Sequence, residues 1–157
     1  MMILRILFLL SALTVHLASS QQRVRGCYYT NWSNGRPYDG HFDLETHYED
    51  KLCTHIFYSF AKVEHDRIGG YIIKPYEGDW DLNTGYKKLL ALKKKDRNLK
   101  TLLAVGGWTH ASEGFKQMVE TRESRAYFIK QSKAFLEKHG RSLDNYFGKK
   151  FYAIYLF

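Results

Sequence analysis

The chain has 157 residues, 45% of them hydrophobic and 16% aromatic, and carries a formal net charge of +8. Such a length supports one modest domain with a real core. Past the first twenty residues no stretch is long and apolar enough to span a bilayer, so no membrane partner is expected.

Residues 1–20 read as a secretory signal peptide. Arg5 supplies the positive start, and an apolar run over residues 6–17 is broken only by Ser11, Thr14 and His16. Ala18, Ser19 and Ser20 close it as a small-residue cleavage site, which predicts a secreted, extracellular chain beginning at Gln21.

Residues 24–30 are short, apolar to aromatic, and suit a buried strand containing Cys27. A Gly-, Asn-, Pro- and Asp-rich stretch over 31–40 opens that strand into a long loop. Asn31-Trp32-Ser33 is its N-x-S sequon, so Asn31 is a candidate glycosylation site on an exposed loop. Residues 53–61, β-branched and aromatic, form a second strand. Two cysteines in an exported chain read as one disulfide, here Cys27 with Cys53.

A polar connection with Gly69, Gly70, Pro75 and Gly78 follows. Its Glu77, Asp79 and Asp81 read as a solvated turn and helix N-cap. A helix is predicted over 83–96, with Tyr86, Leu89 and Leu90 as its apolar stripe. Lys87, Lys88 and Lys93 to Lys95 then fall on its wet face. No aromatic stacking motif accompanies those lysines, so nucleic acid is not an expected partner.

Residues 99–105 are a third strand, nearly all apolar as in a parallel sheet covered on both faces, and end at Gly106-Gly107. A helix over 121–139 places Phe128, Ile129, Phe135 and Leu136 on one face and stops at Gly140. This alternation of strands and helices is the rhythm of an α/β barrel or a doubly wound sheet. Residues 141–157 break it: Tyr146, Phe147, Phe151, Tyr152, Tyr155 and Phe157 make a divergent aromatic-rich tail.

Three segments resemble glycoside hydrolase family 18, the chitinases and chitinase-like lectins. Arg25-Gly26-Cys27-Tyr28-Tyr29-Thr30-Asn31-Trp32 is similar to that family's first barrel strand. The segment from Leu52 to Ala61 is similar to its second, and Lys100 to Val105 with Gly106-Gly107-Trp108 to its third. The resemblance covers residues 21–140 and implies an α/β fold, namely the first three βα units of a partial (β/α)₈ TIM barrel. A complete barrel takes about 250 residues, so the third strand keeps an unpaired edge unless the tail adds a strand that its pattern does not require.

The resemblance further implies a partner, chitin or another N-acetylglucosamine-containing glycan. Trp32 and Trp108 would stack on different sugar units, and Tyr28 and Phe60 would line the floor of the central subsite. Flat rings suit that task because their apolar faces cover the C–H face of a pyranose. Gly106 and Gly107 would let the backbone approach the sugar. The family's fourth strand ends in D-x-x-D-x-D-x-E, whose glutamate protonates the glycosidic oxygen while an aspartate positions the substrate's acetamido nucleophile. Here that place reads Arg141-Ser142-Leu143-Asp144-Asn145-Tyr146, with no glutamate after Glu137. No catalytic residue is therefore assigned.

His41, His47, His55, His65, His110 and His139 show no metal-ligand spacing, and no phosphate loop or nucleophile elbow occurs, so neither metal nor cofactor is expected. The reading is a secreted, non-catalytic chitinase-like glycan binder. Its alternatives are a fragment or isoform of an active chitinase and, more distantly, a basic secreted interaction protein.

Overall fold

The computed structural model describes residues 23–112 and 114–140, together with the backbone of the strand Phe151–Leu156. The leader expected over 1–20 and the junction 141–150 lie outside the described residues. The strands are β1 (Gly26–Thr30), β2 (His55–His65), β3 (Tyr71–Pro75), β4 (Lys100–Val105) and β5 (Phe151–Leu156). The α-helices are α1 (Leu44–His47), α2 (Tyr86–Ala91), α3 (Phe115–Glu120) and α4 (Arg122–His139). Among the described residues no helix is long and apolar enough to cross a membrane.

β1, β2, β4 and β5 lie side by side in that order and all run parallel. β4 is buried on both faces, every residue from Thr101 to Val105 being buried, while β2 alternates between buried and half-buried residues over most of its length. Tyr58, Leu89, Leu99, Leu103 and Val105, all fully buried, centre the core. The Cys27–Cys53 disulfide is present, with Cα atoms 6.0 Å apart, and ties β1 to the residues just ahead of β2. Arg25 reinforces the same junction by donating from Nε to the Leu52 carbonyl, at 2.8 Å.

Several sequence expectations change here. The connection after β2 is no irregular loop: β3 folds back antiparallel on β2, from Ala61 opposite Pro75 to His65 opposite Tyr71. Asp66 closes that hairpin by accepting from the amides of Ile68, Gly69 and Gly70, a turn-stabilising pattern natural to aspartate. β4 does not keep an open edge, because β5 pairs with it, Leu103 opposite Ile154 and Val105 opposite Leu156.

The predicted helix over 83–96 divides into a π-turn (Asp81–Gly85), α2 and a 3₁₀ turn (Leu92–Lys94). Its apolar stripe is as expected, with Tyr86, Leu89 and Leu90 buried. Lys93 is not on the wet face, however: it is buried and its Nζ donates to the Leu99 carbonyl at 2.9 Å. α4 begins in a capping box, Thr121 and Ser124 bonding each other's backbone amides. It buries Phe128, but Ile129 lies 66% exposed, because successive residues on a helix are about 100° apart and cannot both face the sheet.

Candidate functional site

The parallel strands deliver their following loops to one end of the sheet. β1 ends at Thr30 and turns into a 3₁₀ segment, Asn31–Gly35, that presents Trp32. On β2 the register with β4 slips between Ser59 and Ala61, a bulge of the kind that redirects a side chain, and Phe60 sits at the slip. β4 ends at Val105, and Gly106 and Gly107 follow with φ of 106° and 95°. Only glycine adopts such angles without strain, and the turn they make carries Trp108 outward, 98% exposed.

These residues meet. Trp32, Phe60, Gly106, Gly107 and Trp108 line one cleft of about 300 Å³, joined by Tyr76, Glu77 and Thr109. The Trp32 and Phe60 rings stack with centroids 6.1 Å apart. Tyr28 does not enter this cleft; it lines an adjoining, more open depression of about 820 Å³ that shares Phe60, Gly107 and Trp108 and adds Ala111, Ser112 and Phe115. Two aromatic hollows thus run together over the Phe60–Gly107 contact. A Cβ on Gly107 would lie 2.9 Å from two Phe60 ring carbons, so the floor is closed by backbone against ring. His110 holds the Trp108 turn to the sheet, its Nε2 lying 3.0 Å from the Val63 amide nitrogen.

Tyr76, Glu77, Thr109, Ser112 and Phe115 were not expected at the site. Pro75 followed by Tyr76 was the available signal, an aromatic at the end of what proves to be β3. Asp81 reverses its sequence reading. It is fully buried rather than solvated, and accepts from Asn31 Nδ2 at 2.9 Å, from the Glu77 amide at 2.8 Å, and from the Tyr58 hydroxyl. Burial, with Asp81 alongside, pushes the Tyr58 hydroxyl far above its ordinary pKa, so it remains a donor at any working pH. Burial pushes the Tyr29 hydroxyl up to about 12, with Asp43 adding to the rise.

Asn31 is likewise not on an exposed loop. It is 2% exposed and its amide nitrogen, the atom a glycan would occupy, is held by Asp81. What the site offers chemically is aromatic surface, the Glu77 carboxylate, the hydroxyls of Thr109 and Ser112, and backbone. That set suits a partly apolar, partly hydroxylated ligand; among the described lining residues Glu77 is the one carboxylate. Among the described residues no cluster of His, Cys, Asp and Glu could hold a metal ion.

Comparison with known proteins gives a consistent result. The model for glycosyl hydrolases family 18 matches residues 24–147. Human chitinase-3-like protein 2 is 39% identical over 113 residues, 72% of this chain and 27% of that protein. The structure of an immunomodulatory active chitinase from Trichuris suis superimposes with a TM-score of 0.68 at 36% identity, covering 75% of this chain and 30% of that one. Human YKL-39, a pseudo-chitinase with retained chitooligosaccharide binding properties, aligns at a TM-score of 0.59 and 36% identity over 74% of this chain and 30% of that one. The chain therefore spans less than a third of the length of each of these relatives.

Proposed function

The chain belongs to glycosyl hydrolases family 18, and from that premise we propose that it is a secreted, chitinase-like protein that binds N-acetylglucosamine oligomers without cleaving them. The observation that carries the reading is the convergence of Trp32, Phe60, Gly106, Gly107 and Trp108 on one cleft. Stacking a pyranose on Trp32 or Trp108 removes apolar surface from water and needs nothing but the ring. Glu77, Thr109 and Ser112 then supply hydrogen bonds at the edges of the hollows.

Cleavage needs more. A family 18 reaction uses a carboxylic acid at the glycosidic oxygen, and general acid help alone is worth roughly 10²–10⁴-fold in rate. The sequence contains no D-x-x-D-x-D-x-E run, and Asp144 by itself cannot both protonate the oxygen and orient an acetamido group. Secretion is supported by the leader-like first twenty residues and by a disulfide, which persists in oxidising compartments. The similarity to an active chitinase favours one second reading: in a longer protein that adds the carboxylate-rich strand, the same cleft would serve hydrolysis.

Titration calorimetry of the full chain with the N-acetylglucosamine tetramer should show saturable binding that Trp32→Ala and Trp108→Ala each weaken. A wild-type protein that takes up no oligosaccharide overturns the binding reading. Incubation with a fluorogenic chitobioside should release no more product than a blank, and enzyme-dependent turnover would refute the non-catalytic half. Sequencing the transcript past the Gly140 codon decides between the two readings of the longer gene.

A further inference from the structure

Asp81 touches none of the sugar-facing surface, yet its carboxylate holds three of the segments that make it. Asn31, whose Nδ2 donates to Oδ1, is the chain neighbour of Trp32. Glu77, whose amide donates to Oδ2, lines the cleft itself and follows Tyr76. Tyr58, whose hydroxyl also donates to Oδ1, lies two residues before Phe60 on β2. The three donors come from positions 50, 23 and 4 residues away along the chain, so only the folded state assembles them. Gly85 completes the pocket: a Cβ there would collide with the Tyr58 hydroxyl, so the turn after Asp81 is pressed against its partner.

A buried carboxylate is costly to desolvate and gains its place through the groups that bond it. If the position served only to fill the core, an apolar side chain would do so at lower cost. A carboxylate instead fixes directions, because each donor must approach an oxygen lone pair along a narrow range of angles. Here those directions set where the loop of Trp32 and the turn of Tyr76 stand relative to Phe60. We propose that Asp81 is a positioning residue for the glycan cleft, setting the separation of its Trp32 and Tyr76 walls and thereby its affinity for longer oligosaccharides. This rests on the glycan-binding reading given above.

The Asn31 side chain explains how a conservative change can be tolerated. Its Oδ1 is buried and has no hydrogen-bond partner. In Asp81→Asn, the new Oδ1 can still accept from the Glu77 amide, while the new Nδ2 donates to the Tyr58 hydroxyl oxygen and, once the Asn31 amide turns over, to its vacant Oδ1. Asp81→Ala leaves all three donors unanswered. The expectation is therefore asymmetric.

The test uses the full chain, its three tryptophans labelled as 5-fluorotryptophan, with the Trp32 resonance assigned through Trp32→Phe. Asp81→Ala should shift or broaden the Trp32 ¹⁹F signal without sugar present, and Asp81→Asn should return it. Calorimetry with N-acetylglucosamine dimer and tetramer should show tetramer affinity falling by roughly tenfold in Asp81→Ala, with the dimer changed less. Partial unfolding would weaken dimer and tetramer in equal proportion, so an unchanged ratio overturns the proposal. An unmoved Trp32 signal overturns it too, whether or not any sugar binds. A wild type that ignores both sugars sinks the function reading, and the ¹⁹F comparison still decides the positioning claim. Should Asp81→Ala not fold, Tyr58→Phe keeps the ring and removes one donor; the same Trp32 shift, smaller, is expected, and its absence counts against the proposal.

Discussion

Replacing Gly107 by alanine probes the backbone on which the aromatic floor depends. Two penalties combine at this position. Gly107 has φ of 95°, and holding an alanine in such a region costs on the order of 1–3 kcal/mol. The added methyl would also stand 2.9 Å from two carbons of the Phe60 ring, and relieving overpacking of that kind typically costs a further ~1–3 kcal/mol. Gly69 separates the two effects. Its φ is 129°, but nothing lies within 4 Å of a Cβ there, so Gly69→Ala carries the backbone penalty alone. Gly107→Ala should therefore lose about 1–3 kcal/mol more than Gly69→Ala in denaturant unfolding followed by circular dichroism. Because Phe60 stacks on Trp32, its displacement should also lower affinity for the N-acetylglucosamine tetramer, while Gly69→Ala, on the β2–β3 turn, leaves it intact. Equal stability losses in the two variants, together with unchanged binding, would show that the floor does not depend on Gly107.

Removing the disulfide by Cys27→Ser with Cys53→Ser should cost roughly 3–4 kcal/mol in the same unfolding assay, the entropy of a loop closed across 26 residues; an unmoved midpoint contradicts it. Acid should destabilise the fold in two stages. Burial, helped by Lys100 and Lys138, holds the His55 and His139 pKa values below the ordinary range, so the unfolded chain takes protons first and stability falls as pH drops through about 6.5. Below about pH 4 a second loss follows at Asp43 and Asp66. Burial works against the Asp43 charge but Lys88 and backbone amides hold its pKa down, and the Tyr127 hydroxyl with three amides lowers Asp66 to about 2. A melting temperature that rises between pH 7 and pH 5 is the contrary result. Finally, secreted protein from a glycosylating host should carry no glycan on Asn31, as intact-mass measurement before and after amidase treatment will report.

Much of the fold was legible because local pattern and tertiary demand agree. Residues 24–30, 53–61 and 99–105 are apolar runs in the sequence and become β1, β2 and β4, and β4, covered on both faces of the parallel sheet, is buried from Thr101 to Val105. The Thr121 cap and the Gly140 stop bracket α4 for reasons confined to a few residues. β3 escaped notice because Tyr71 to Pro75 ends in proline and follows two glycines; it is a strand only because β2 continues past Ala61 to receive it. β5 lies in the aromatic tail, whose pattern does not require a strand, and it pairs along the edge of β4.

The site divides in the same way. Trp32, Phe60 and Gly106-Gly107-Trp108 stood out because aromatics and paired glycines at strand ends are visible in one dimension. Asn31 and Asp81 were misplaced because polarity along the chain argues for solvent, and only the fold brings an amide and a carboxylate 50 residues apart to 2.9 Å. By itself the sequence determined β1, β2 and β4, the disulfide and the aromatic character of the site, all properties of residue type and short spacing. The tertiary structure alone decided that Tyr76 and Glu77 join the cleft, that Tyr28 lies in the neighbouring hollow, and that Asp81 is interior, because each depends on which distant groups desolvate and bond one another.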